Sequence, residues 1–146
     1  MSDGPDSEHQ RPDGVDDDTV TALDTFTRAL ETIEVARGHL LQFHRLTGTG
    51  DTQLRESVEQ LRAAGHADLA DRVEHDLVGR NVLEGRWTFQ VVEEYDDTYF
   101  SVWRDLERQA RDELVGGRRH LLEAEMKEDH RTHGHPHHTA RPTTGS

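Results

Sequence analysis

Apolar residues return at steps of three and four over most of the chain, and they set its reading. Val20, Leu23, Phe26, Leu30, Ile33, Leu40 and Phe43 form one stripe, so the spacing predicts a long helix over 17–46. Asp16, Asp17 and Asp18 stand at its start, where carboxylates accept from orphan N–H groups and favour the positive end of the helix dipole. Thr47-Gly48-Thr49-Gly50 is expected to stop it. Leu54, Val58 and Leu61, then Leu69, Val73 and Leu77, mark two shorter helices separated by Gly65 and His66, a helical hairpin over about 51–79 with Asp51 as its first cap.

The pattern loosens over 80–96, which reads as irregular. Arg86-Trp87-Thr88-Phe89-Gln90-Val91-Val92 is rich in aromatic and β-branched types, so a small β-hairpin over 86–103 stands as an alternative. A two-stranded hairpin alone is marginal, however. Tyr99, Trp103, Leu106, Ala110, Leu114 and Leu121 then predict a second long helix over about 97–129. Gly116-Gly117 should kink or break it, at about 1 kcal/mol per glycine relative to alanine. The expected fold is mainly α: a small bundle of two long helices (17–46 and 97–129) plus the short hairpin, making one domain over 17–130.

Outside that span the apolar signal disappears. Residues 1–16 and 131–146 hold all four prolines and almost no hydrophobes, and are expected to be disordered tails, the first acidic and the second His-rich. Charge is spread differently: −4 over 1–16, −11 over 17–130 and +2 over the last sixteen residues, within a net −13. Lys127 is the single lysine beside sixteen arginines. An acidic, Asp-rich, lysine-poor surface suits a salt-filled cytosol, where self-repulsion is screened. The acidity is therefore read as halophilic-type composition rather than as a docking face for a basic partner. With no cysteine there is no disulfide, thiolate metal site or Cys nucleophile. The acidic start does not resemble a signal peptide and no apolar run spans a bilayer, so the expectation is a cytoplasmic protein without membrane association.

Three features could carry chemistry. Six of the eight aromatics fall between Trp87 and Trp103, more than so small a core readily buries, so Trp87, Phe89, Tyr99, Phe100 and Trp103 are read as a subunit interface, with a homodimer or another protein as partner. His130, His133, His135, His137 and His138 put five imidazoles in nine residues, able to chelate Ni²⁺, Zn²⁺ or Cu²⁺ at a site formed on binding. Arg104, Arg108, Arg111 and Arg118 align on the last helix and could meet phosphates. But Asp105, Glu107, Asp112 and Glu113 are interleaved, and Glu107 stands four before Arg111, so ion pairing is the expected use and nucleic acid an unfavoured partner. No Glu-x-x-His occurs, against a carboxylate-bridged di-metal bundle, although Asp71/His75 and His120/Glu123 share helix faces. Gly48-x-Gly50 follows a helix, not a strand, and fails the dinucleotide context. No nucleophile or oxyanion donor is placed, so the chain is read as a non-enzymatic contact protein without an obligate cofactor. Metal binding by the tail, or regulation through nucleic acid, stands as the alternative.

Overall fold

The computed structural model describes residues 3–143. Of the two tails expected to be disordered, residues 1–2 and 144–146 lie outside it. The fold is mainly α: α1 (Asp17–Ala63), α2 (Ala67–Asp76), α3 (Thr88–Tyr95), α4 (Ser101–Val115) and α5 (Leu121–His130), with a short 3₁₀ turn at Ser7–His9. A π turn, Asp96–Phe100, joins α3 to α4 without interrupting the helix. No described helix is long and apolar enough to cross a membrane. Contacts divide the chain into a terminal unit, up to Thr32 and from Val102 onward, and a central unit, Ile33–Ser101.

Two expectations need correction. First, α1 does not stop at Thr47–Gly50 but runs through it. The hydroxyls of Thr49 and Thr52 donate to the carbonyls of Arg45 and Gly48, and a side chain at Gly48 or Gly50 would meet nothing within 4 Å. The two glycines weaken the helix without breaking it, because apolar positions in register on both sides hold it. Second, no hairpin forms at 86–103. Among the described residues no strand occurs, and Leu83 and Arg86 make only an isolated bridge. Helix begins instead at Thr88, where Gln90 Oε1 accepts the Trp87 N–H at 2.8 Å. The helix expected over 97–129 breaks at the glycine pair, one of the two outcomes expected there: Gly116 and Gly117 take left-handed φ of 65° and 80°, and α5 starts afresh at Leu121.

The terminal unit has the clearer core. Asp16 caps α1 by accepting the Thr19 N–H at 2.8 Å, which holds its carboxyl below the usual range. Val20 and Leu23 then pack with Val115 and Leu121, beside Val15, Ala110 and Leu122. Phe26 meets Trp103 edge-on, with ring centroids 6.3 Å apart. Glu107 is buried here, bonded to Thr27 Oγ1 at 3.0 Å and to Arg111. The flanking segments touch α5: Arg11 pairs with Glu125 at 2.9 Å, and Arg131, itself buried, reaches both Glu128 and Asp3.

The central unit turns from α1 into α2 through Gly65, whose φ is 91°, and Arg62 ties the turn by pairing with Asp71 and Glu74. At its other end Arg37 grips Asp96 through two bonds of 2.7 and 2.9 Å and lies 5.3 Å over the Phe100 ring. That guanidinium holds the Asp96 carboxyl below its ordinary value. The apolar residues buried in this unit are Val58 and Ala70.

Candidate functional site

Gly79 organises an apolar cleft of the central unit. Its φ of 72° is left-handed, a conformation glycine takes freely. In that turn its N–H donates to Asp51 Oδ1 at 3.0 Å, and its carbonyl accepts the Trp87 indole N–H at 3.1 Å. The segment after α2 is thereby pinned to α1 on one side and to the start of α3 on the other. Between them lies a cleft of about 440 Å³. Gly48 and Gly50 open its α1 wall where they lack side chains, and Leu54, Leu77, Val82 and Trp87 make it apolar. Thr88, at its end, is buried and hydrogen-bonded to His44 Nδ1 at 2.6 Å.

The charged groups of the cleft differ in their engagement. Asp51 is occupied by the Gly79 N–H and by Arg55, 3.3 Å away. Arg80 forms no ion pair among the described residues, and its guanidinium donates only to the Asp76 carbonyl at 3.4 Å. Arg37, Arg55, Arg62 and Arg86 of the same unit each take a carboxylate, while Arg45 and Arg72, which do not line the cleft, form no ion pair among the described residues.

The five aromatics singled out from sequence separate. Trp87, Phe89 and Tyr99 are 40–47% exposed in the central unit. Phe100 stacks on Tyr95 beneath Arg37, and Trp103 packs on Phe26 in the terminal unit. Of the arginine stripe, Arg108 pairs with Asp105, Arg111 with Glu107, and Arg118 donates to the Gln10 carbonyl.

The tail histidines lie beyond or at the end of α5. His133 bonds Glu128 at 2.8 Å, and the His135 ring sits 4.4 Å from His138 and 5.8 Å from His137. The Nδ1 atoms of His135 and His138 accept backbone N–H groups from His137 and Thr132; His130 closes the helix. Among the described residues the set whose ligating atoms converge is a different one: Glu31, His120 and Glu123, all exposed, with those atoms within 4.8 Å of one another. His120 Nδ1 lies 3.5 Å from Glu123, on a residue held at φ 54°. Asp71 and His75, paired in sequence, go instead to Arg62 and Asp76.

Sequence reasoning missed Arg80 and the paired glycines as site residues. A signal was present: Leu40, Thr47, Leu54 and Leu61 repeat at seven-residue steps straight through the glycines, so the stripe keeps its register where side chains vanish. No family model, curated protein or solved structure matches this chain.

Proposed function

We propose that the protein works by contact, as a homodimer joined through its central unit, and carries out no reaction of its own. The observation behind this is the imbalance of that unit. It buries Val58 and Ala70, yet leaves Val35, Phe43, Leu46, Leu69, Leu83, Phe89 and Tyr99 more than two-fifths exposed, apart from Leu77 and Trp87, which line the cleft. With roughly half of a 150–250 Å² side chain uncovered for an aromatic and somewhat less for an aliphatic, these seven sum to on the order of 600 Å² of apolar surface. A standard interface covers about 800 Å² per partner. Trp, Tyr and Phe are the types enriched at such surfaces. A second copy is the favoured occupant because closed twofold pairing is the commonest way for one chain to cover its own exposed apolar side chains. Molar salt screens the repulsion between two chains of net charge −13.

Sedimentation equilibrium at tens of micromolar in molar KCl should give twice the 16.7 kDa chain mass. The double variant Leu46→Glu/Phe89→Glu should sediment as a monomer with its helical spectrum intact. A monomeric native chain refutes the proposal. A second reading concerns the tail, where His135 stands between two other imidazoles: divalent transition-metal binding, with Ni²⁺, Cu²⁺ or Zn²⁺ as the ion.

A further inference from the structure

We infer that the cleft beneath Gly79 is a binding site for a small molecule with a flat apolar body and a single carboxylate, the carboxylate resting on Arg80. The cavity, about 440 Å³, falls within the range of small-molecule sites, and its walls are pre-formed by the two Gly79 bonds rather than by loose side chains. Its chemistry restricts the occupant. Leu54, Leu77 and Val82 present carbon, and Trp87 does so too, because the indole N–H is already taken by the Gly79 carbonyl. The body of the ligand must therefore be apolar, and a flat ring best matches an indole wall.

The head group follows from charge. A cation would be drawn to Asp51, but that carboxylate already accepts from Gly79 and faces Arg55. Arg80 lines the same cavity with its guanidinium unmatched by any carboxylate among the described residues. A planar guanidinium binds a carboxylate through two parallel hydrogen bonds. The side-chain amide of Asn81, also lining the cavity and without a hydrogen bond of its own among the described residues, supplies a further donor. Arg80 is the arginine that lines this apolar cleft, and its other charged lining side chain, Asp51, is already engaged, so the carboxylate is assigned to the ligand.

The site does not depend on dimerisation. Leu46 and Phe89 do not line the cavity, so the Leu46→Glu/Phe89→Glu chain keeps it whole, and the two proposals fail separately. The test uses two probes of one shape, naphthalene-2-carboxylate and naphthalene-2-carboxamide, titrated calorimetrically into the full native chain and into that double variant. The carboxylate should bind about tenfold more tightly than the amide. Arg80→Gln should erase the difference while leaving the amide's affinity in place. Gly50→Leu, at a helical position with open space around its missing Cβ, should fold normally and abolish binding of both probes by filling the cavity. The inference is overturned if the native chain binds neither probe or both equally, if Arg80→Gln keeps the preference, or if Gly50→Leu leaves binding unchanged.

Discussion

Removing the Arg111 side chain as Arg111→Leu should damage the terminal unit far more than removing it together with its partner. Glu107 has only 6% of its side chain exposed and Arg111 19%. The guanidinium Nε donates to both carboxylate oxygens, at 2.8 and 3.0 Å, and a further N–H reaches the Gly117 carbonyl at 3.2 Å. Thr27 is the remaining donor to the carboxylate, from α1. Arg111→Leu leaves a charge in the interior with one neutral hydroxyl to solvate it, a loss of about 3–5 kcal/mol. For a chain of this length that is a fall in Tm on the order of 10–15 °C. Glu107→Leu/Arg111→Leu removes the charge along with its partner and fills the space with apolar atoms, so it should cost no more than about 1–2 kcal/mol, chiefly the bond to Gly117. Urea unfolding of the native chain, both single variants and the double, followed by helical circular dichroism in molar KCl, closes the cycle. Additivity within about 0.5 kcal/mol would show that the two side chains act independently and would refute the reasoning.

Gly50→Ala should raise stability by about 1 kcal/mol, since the residue is helical and its Cβ meets nothing; a loss in the same urea assay would mean that α1 is not helical there. Gly117→Ala should lower it by about 1–2 kcal/mol, because φ is 80° and the new Cβ would stand 2.9 Å from Asp112 Oδ1; an unchanged midpoint would contradict the left-handed turn. Glu128, bonded to Arg131 and then to His133, has its carboxyl held at about 2. Its contribution is therefore complete above the ordinary value of 4.5 and is lost as pH falls from there toward 2; a carboxyl-carbon titration with its midpoint at the ordinary value would show that the pair does not form. A chain ending at Asp129 should lose Ni²⁺ binding and keep its helical spectrum; retained binding would move the metal away from the tail.

The elements legible in the sequence are those where periodicity and punctuation agree. The stripe from Val20 to Leu30, the glycine turn at Gly65 and the break at Gly116-Gly117 all stand where spacing puts them. Thr47–Gly50 misled because local cost and global register pointed in opposite directions, and about 1 kcal/mol per glycine does not outweigh a helix anchored on both sides. Asp51 looked like a cap for the same reason; inside a continuous helix its carboxylate is free to serve Gly79 instead. The segment from Trp87 to Trp103 was ambiguous because aromatic and β-branched residues suit either structure, and only the bond from Trp87 to Gln90 selects helix. No sequence rule announces the π turn at Asp96–Phe100. The Glu107–Arg111 pair was readable from spacing, its burial was not. The cleft required knowing that Gly79 meets both Asp51 and Trp87, contacts 28 and 8 residues apart in sequence.

Lys127 lies near the end of the exposed side of α5, its amine 3.3 Å from the Ala140 carbonyl. Because it is the chain's single lysine, a lysine-specific protease has one peptide bond to cut, and that bond sits inside a helix. Cleavage needs that helix to open first, so its rate at low protease reports the fraction of molecules in which α5 has come away. Cleavage at that one bond thus reports the opening of the last helix, and a rate above that set by global unfolding shows that α5 comes away on its own.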